Sequence, residues 1–268
     1  MRVTTLGSST HYPRPGNACS GYLVQSGDTS IWVDAGAGTL AELQRHVQLE
    51  DIDAIWISHT HADHTSDLLT AYYAYRFGDV LPGAPIPLFA PHGLRERMVA
   101  FLGGSAETGL DLVFGFADLG ATPGGGSAQV GDLTLSWREV DHDVPGYALR
   151  VDTADDGSFA FSGDTGPCEA LDELASGCDA LLCEAGIDAQ ERGEHPVHQT
   201  PEEAGATATR AGVGRLIVTH TALGLSGEAA AARAQQHYDG PVELARPGSV
   251  FVVEPSGQLN AGTDSTGT

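Results

Sequence analysis

Residues 59–64 read His59-Thr60-His61-Ala62-Asp63-His64 and directly follow the apolar run Ile52-Asp53-Ala54-Ile55-Trp56-Ile57-Ser58. The run predicts a buried strand, so three imidazoles and one carboxylate crowd the turn at its end. Imidazole is the commonest metal ligand among side chains, and a mixed nitrogen and oxygen set suits zinc or a similar divalent ion. Four ligands in six residues exceed what one tetrahedral site can use, since the chain cannot wrap that tightly around one ion. The stretch therefore predicts two adjacent metal ions, each with further ligands elsewhere in the chain.

The charge of the chain restricts its partners. The 268 residues have the composition of an ordinary globular protein, but the formal net charge is −23 and all thirteen basic residues are arginine. Binding of a long nucleic acid depends on Lys and Arg displacing counterions from the phosphates, so the charge argues against such a partner. A small anionic substrate held by metal ions remains compatible with it. The sequence leaves open whether the protein forms a homodimer.

We expect a cytoplasmic protein that has no membrane partner. The N-terminus begins a strand directly and has no apolar signal core, and no run approaches membrane-spanning length. The four cysteines form no CxxC pair, which predicts buried, reduced thiols rather than disulfides or zinc ligands. These cysteines are Cys19, Cys168, Cys178 and Cys183.

The rest of the sequence alternates between strand-like and helix-like segments, with no internal repeat and no linker. We expect one domain over residues 1–254 and a flexible tail over residues 255–268, which are rich in Gly, Ser and Thr. Helices are predicted at Asp67–Phe77 and Pro201–Ala211. The glycine-rich segment 103–127 is predicted to be mostly loop, either a mobile lid over the site or a permissive connection. The pattern indicates a layered α/β or α+β fold.

His142, Asp164 and His220 each stand at the end of another predicted strand. Rigid strands position functional groups on the loops that follow them. Taken singly, each residue has an ordinary explanation, because a strand-end Asp can cap a helix and a lone His is commonly structural. Together with the cluster they would supply the missing ligands.

The order HxHxDH, strand-end His, Ser-Gly-Asp-Thr and strand-Thr-His resembles the metallo-β-lactamase superfamily over essentially residues 2–254. The resemblance implies an α+β fold, an αββα sandwich of two mixed sheets packed face to face with helices outside. It also implies a ligand set for two metals: His59, His61 and His142 for one, Asp63, His64 and His220 for the other, and Asp164 as the bridge. Asp34 matches an aspartate that the family keeps near the site, and a turn or helix-cap role is the alternative.

The implied cofactor is a pair of divalent metal ions, with Zn²⁺ as the first expectation and Mn²⁺ or Fe as alternatives. Two such ions can hold a bridging hydroxide at neutral pH and neutralise charge during an in-line displacement. Asp63 is expected to be essential for catalysis through this centre.

The segment between Asp164 and His220 resembles the ribonuclease Z-like branch of the superfamily. In that branch a Glu after an apolar strand pairs with the His of a His-x-Thr motif, and Glu184 and His198 match the pair. The resemblance implies that the pair supplies a proton to the leaving oxygen, which general acid catalysis requires because an alkoxide leaves poorly. His195 is the competing candidate for the proton donor.

Ribonuclease Z enzymes that trim transfer RNA carry a long gripping arm, and here only a predicted hairpin separates His142 from Asp164. The nearer likeness is to compact bacterial cyclic-nucleotide phosphodiesterases. We therefore expect a phosphodiesterase for a small substrate such as a cyclic nucleotide. A hydrolase of a lactone or thioester is the alternative, and a non-catalytic metal-binding helper or sensor is a third hypothesis.

Overall fold

Two β-sheets form the centre of the molecule. The computed structural model describes residues 1–78, 80, 83–155, 157–189 and 194–255. The first sheet contains β1 (Arg2–Ser9), β2 (Ala18–Cys19), β3 (Gly21–Ser26), β4 (Thr29–Val33), β5 (Ala54–Trp56), β6 (Ile86–Ala90), β7 (Phe114–Asp118) and β15 (Val250–Val252). The second contains β8 (Gly126–Val130), β9 (Leu133–Val140), β10 (Gly146–Asp152), β11 (Ser158–Phe161), β12 (Ala180–Ala185), β13 (Leu216–Thr221) and β14 (Val242–Leu244).

Each sheet is mixed, with one parallel and one antiparallel half. The first has the order β15-β1-β3-β4-β5-β6-β7, with β2 beside β1, and its strands β4 to β7 are parallel. The second has the order β14-β13-β12-β11-β10-β9-β8, and its strands β11 to β14 are parallel. Loops that follow parallel strands meet at one edge of a sheet, which is where α/β proteins place their ligands.

Helices cover the outer faces of both sheets. They are α1 (Thr39–Leu43), α2 (Ala62–Phe77), α3 (Leu94–Leu102), α4 (Glu107–Val113), α5 (Glu169–Leu174), α6 (Pro201–Ala211) and α7 (Gly227–Ala234). Apolar residues of α1 to α4 pack against the first sheet, and those of α5 to α7 against the second. The prediction of an αββα sandwich is confirmed.

The alternation of side chains along the strands produces the three apolar layers. Ile31 and Val33 of β4 face the core between the sheets, where they meet Leu149 and Phe161 of the second sheet. Trp32, between them in sequence, lies in the layer beneath the helices. A strand buried on both faces reads as a continuous apolar run, as these residues do.

Two sequence-based predictions of local structure were wrong. Helix α2 begins at Ala62 rather than Asp67, so Asp63 and His64 lie in its first turn. Segment 103–127 is not mostly loop, because it contains α4, β7 and the start of β8. Gly109 inside α4 leaves room for the hydroxyl of Tyr72, which shows that this glycine serves helix packing. Segment 103–127 is therefore neither a mobile lid loop nor a permissive connecting loop.

Other expectations concern the whole chain. All four cysteines carry free thiols, as predicted, but only three are buried, because Cys168 is half-buried. None of the helices in the described part of the chain combines the length and apolar character needed to cross a membrane. The expected tail lies, apart from residue 255, outside the described residues.

Candidate metal centre

The seven predicted metal ligands meet at the edge of the sandwich where strands of both sheets end. His59 and His61 follow β5, Asp63 and His64 open α2, and the last three residues come from the second sheet: His142 after β9, Asp164 after β11 and His220 near the end of β13. Their ligand atoms fall into groups whose members lie within 4.8 Å of one another. Both sheets are therefore needed to assemble the centre.

The first group consists of three histidines. Nε2 of His59 lies 3.1 Å from Nδ1 of His61, and Nε2 of His142 lies 3.3 Å from the same nitrogen. Burial lowers the pKa of both His59 and His61, which favours the neutral imidazole that binds metals. Converging imidazole nitrogens of this kind suit a divalent cation.

The second group consists of Asp63, His64 and His220. Oδ2 of Asp63 lies 3.3 Å from Nε2 of His220 and 3.8 Å from Nε2 of His64. Nε2 of His64 is buried and has no hydrogen-bond partner in the described part of the chain. A buried imidazole nitrogen that faces a carboxylate without a hydrogen bond fits a metal ligand.

Asp164 lies between the two groups. Its Oδ2 atom is 3.4 Å from Nε2 of His64, 3.6 Å from Nε2 of His220 and 3.8 Å from Nε2 of His59. Burial alone would raise the pKa of Asp164, but His220, His64 and His59 hold it well below its usual range. The same carboxylate oxygen thus faces both groups in its ionised form.

Asp34 supports His64 from behind. Its Oδ2 atom lies 2.6 Å from Nδ1 of His64, and its Oδ1 atom accepts a hydrogen bond from the backbone N–H of Ser58 at 2.8 Å. A carboxylate at Nδ1 fixes the imidazole tautomer and turns Nε2 toward the metal position. The N-cap of α1 is Gly38 rather than Asp34, so the contacts of Asp34 favour the supporting role.

Glu184 and His198 form a pair beside the bridge. Nδ1 of His198 lies 3.0 Å from Oε1 of Glu184 and 3.8 Å from Oδ2 of Asp164. Glu184 is buried and also accepts hydrogen bonds from the backbone N–H groups of Thr165 and Gly186. Burial by itself would lower the pKa of His198, but the hydrogen bond and charge of Glu184 outweigh it and raise the pKa to about 9.

The neighbours of His198 explain its position. Thr200 is the N-cap of α6 and forms a capping box with Glu203, which fixes the chain two residues beyond His198. His195 is exposed and belongs to none of the ligand groups among the described residues. The structure thus brings His198, and not His195, to the centre.

The sequence did not predict three residues that contact the candidate metal ligands. The backbone N–H of His11 donates to Oδ2 of Asp63 at 2.9 Å, Oγ of Ser58 lies 3.0 Å from Nδ1 of His59, and Oδ1 of Asp143 lies 3.1 Å from Nε2 of His142. Ser58 and Asp143 adjoin predicted ligands in the sequence, and this adjacency was a usable signal. No local pattern could connect His11 with Asp63, since the contact depends on the fold.

Comparison with known proteins agrees with this arrangement. Residues 29–221 match the family model described as a beta-lactamase superfamily domain. The protein Rv1339 of Mycobacterium tuberculosis is 33% identical, with 96% of this chain and 94% of that protein covered. Ribonuclease Z of Mycobacterium bovis is 30% identical over 82% of this chain and 85% of the enzyme.

The probable metallo-hydrolase YhfI of Bacillus subtilis is similar in both sequence and structure. It is 28% identical, with 94% of this chain and 99% of that protein covered. Its crystal structure superposes with a TM-score of 0.81 at 26% identity, over 93% of this chain and 98% of that chain. Sequence and structure thus agree over nearly the full length.

Proposed function

The chain belongs to the metallo-β-lactamase superfamily and to its ribonuclease Z-like branch, and on that premise we propose that it is a dinuclear-metal phosphodiesterase for a small substrate such as a cyclic nucleotide. The supporting observation is the Glu184–His198 pair beside the bridging carboxylate. Relatives named metallo-hydrolase and ribonuclease Z support hydrolysis as the reaction class.

In this proposal two sets of side chains hold divalent cations, with Asp164 shared between them. His59, His61 and His142 form one set, and Asp63, His64 and His220 form the other. Imidazole-rich sets with carboxylate donors suit Zn²⁺, with Mn²⁺ or Fe as alternatives. Two bound cations would lower the pKa of water to near neutrality and neutralise charge on a phosphodiester.

The protein's own proton donor is His198. The carboxylate of Glu184 pairs with Nδ1 of His198. Nε2 of His198 is therefore available to donate a proton to the oxygen that leaves phosphorus. No hydrogen bond to this Nε2 atom occurs within the described ranges. A nucleotide alkoxide needs that proton to leave, whereas a thiolate leaves readily without it. The pair therefore favours a phosphodiester over a thioester.

A small substrate is favoured over transfer RNA. In the described part of the chain, only the β10–β11 hairpin lies between His142 and Asp164, where RNA-trimming enzymes of this branch carry their arm. The net charge of −23 would repel a long polyanion, because no excess of basic residues is present to displace its counterions.

The test is a substrate panel on zinc-loaded protein. A 3′,5′-cyclic nucleotide and bis(p-nitrophenyl) phosphate should be hydrolysed, whereas a lactone and a thioester should not. Asp63→Ala should lose activity toward both phosphodiesters. Turnover of the carboxylic substrates alone would reject the proposal.

The role of His198 gives a sharper test. His198→Ala should lower kcat for the cyclic nucleotide by about 100-fold or more, because the alkoxide loses its proton donor. The same variant should affect bis(p-nitrophenyl) phosphate far less, since nitrophenolate leaves unaided. His195→Ala is the matched control and should retain both activities. Equal losses on the two substrates would contradict a proton-donor role.

A further inference from the structure

A cavity of about 390 Å³ adjoins the candidate metal centre, because His220 belongs to both. Its walls come from the segment 8–17, from residues 219–228 at the end of β13 and beyond it, and from residues 244–247. We call it the His220 cavity. The volume is within the range of small-molecule sites, which runs from about 300 to 1,000 Å³. The cavity is thus large enough to hold a small molecule next to the candidate metal centre.

One wall residue, Arg14, carries an uncompensated positive charge. The other two charged wall residues neutralise each other, since Arg246 and Glu228 form an ion pair at 2.7 Å. No carboxylate lies within ion-pair distance of Arg14 in the part of the chain that the structure describes. The Arg14 guanidinium instead stacks 4.4 Å from the ring centroid of Tyr12. In a protein of net charge −23, an arginine without a carboxylate is free to meet an external anion.

Hydrogen bonds hold the loop that carries Arg14 against the candidate metal centre. Arg14 and Asn17 exchange backbone hydrogen bonds of 2.8 and 2.9 Å, which closes the turn. The hydroxyl of Thr10 donates to the carbonyl of Thr221, and the backbone N–H of His11 donates to Asp63. The position of the Arg14 backbone relative to the metal ligands is therefore fixed before substrate arrives, which reduces the entropy lost on binding.

We propose that the His220 cavity binds the part of the substrate beyond the scissile phosphodiester, and that Arg14 recognises a second phosphoryl group there. Guanidinium matches phosphate oxygens with two parallel hydrogen bonds, which a compact ammonium cannot do. The inference rests on the proposed function and narrows it. The preferred substrate is a nucleotide-sized phosphodiester with a further phosphoryl group, one more than a cyclic mononucleotide carries.

The kinetic test compares two substrates with the same scissile ester on the zinc-loaded protein. They are the p-nitrophenyl ester of thymidine 5′-monophosphate and the same ester with an added 3′-phosphate. The 3′-phosphate should raise kcat/KM at least about tenfold in the wild type, as expected for a charged hydrogen bond. Arg14→Ala should abolish that preference and leave the unphosphorylated substrate unchanged, whereas Arg14→Lys should retain part of it.

Arg76→Ala is the matched control. Arg76 also stacks on an aromatic ring, that of Phe77, but lies outside the His220 cavity. Its loss changes the net charge equally and should leave the substrate preference intact. Equal kcat/KM for both esters in the wild type would overturn the subsite while leaving the phosphodiesterase proposal standing.

A binding measurement separates the two proposals if neither ester is hydrolysed. Calorimetric titration of the zinc-loaded protein should give at least about tenfold tighter binding of thymidine 3′,5′-bisphosphate than of thymidine 5′-monophosphate. The difference should disappear in Arg14→Ala. Equal affinities in the wild type, or an unchanged difference in the variant, would reject the role of Arg14 independently of activity.

Discussion

Asp34 shows how one carboxylate can control the centre without facing it. Its contact with Nδ1 of His64 and its bonds to Ser58 orient two neighbours of the metal position. Its backbone adopts a positive φ of 55°, a conformation that non-glycine residues seldom take. A residue held in such a conformation at a site indicates that the surrounding contacts compensate the strain.

We predict that Asp34→Ala lowers zinc affinity about 10- to 100-fold, because His64 loses the partner that fixes its tautomer. Competition with a chromophoric chelator measures the affinity directly. Asp53→Ala is the control: Asp53 also accepts a backbone hydrogen bond, from Ser30, but lies away from the ligand groups. Equal zinc affinity in the Asp34 variant and the wild type would contradict a supporting role.

At the scale of single residues, the sequence revealed what was local. Three imidazoles and a carboxylate in six residues indicate a metal site, and single strand-end residues could be added because rigid strands position functional groups on the loops that follow them. The choice between His195 and His198 could not be made, since it depends on where the chain lies before α6. The donation from His11 to Asp63 joins segments 52 residues apart and leaves no sequence pattern.

At the scale of elements, helix α2 carries one buried and one exposed tyrosine. Tyr75 is buried, and its hydroxyl donates to the carbonyl of Leu49 at 2.9 Å. Tyr73 is 52% exposed on the same helix. Burial of Tyr75 against the first sheet indicates that it stabilises the fold rather than contacting a ligand.

Tyr75→Phe should therefore lower the free energy of unfolding by about 1 kcal/mol, the usual contribution of one hydrogen bond, and leave KM unchanged. Tyr73→Phe should change stability by less than about 0.5 kcal/mol, as surface substitutions do. Urea denaturation followed by circular dichroism gives both values. A raised KM for Tyr75→Phe with unchanged stability would instead favour a ligand-binding role.

Element types were more predictable than element boundaries. Pro201–Ala211 was predicted and observed with the same limits, because Thr200, Pro201 and Gly212 provide an N-cap, a first-turn proline and a C-cap. The start of α2 was missed because the proposed metal ligands Asp63 and His64 occupy its first turn and do not resemble a capping sequence. Helix α4 was missed because glycines surround it, and at Gly109 the reason for the glycine is a tertiary contact.

At the scale of the whole molecule, the proposed metal ligands come from both sheets. The first sheet and α2 supply His59, His61, Asp63 and His64, and the second sheet supplies His142, Asp164 and His220. Cations held there would link both layers of the sandwich. A ligand that binds only the folded state stabilises it by mass action.

Removal of the metals with a chelator should therefore lower the melting temperature. The free energy of unfolding should fall by about 2.7 kcal/mol if free metal was at 100 times its Kd before removal. Differential scanning calorimetry checks this, with zinc added back to restore the transition. An Asp164→Ala variant should show a smaller chelator effect, because it lacks the shared ligand. Identical transitions with and without chelator in the wild type would contradict metal binding across the sheets.

The layered architecture itself could not be derived from periodicity alone. Alternating strands and helices indicated only an α/β or α+β fold, and the αββα arrangement was implied by the resemblance to the metallo-β-lactamase superfamily. Periodicity cannot predict strand order, because that order depends on pairing between distant segments, such as β1 beside β15. Residues on strands buried on both faces, such as Ile31, Trp32 and Val33, read as uniformly apolar and do not reveal which face meets which partner.

The pairing of β1 with β15 has a consequence for the nascent chain on the ribosome. Arg2 is opposite Val252 and Thr4 is opposite Val250, so one edge of β1 has its main partner nearly 250 residues later. While the intervening residues are translated, that edge offers unpaired N–H and C=O groups to any other strand. The first sheet is thus completed only late in synthesis, and until then the unpaired edge of β1 is open to association with other strands.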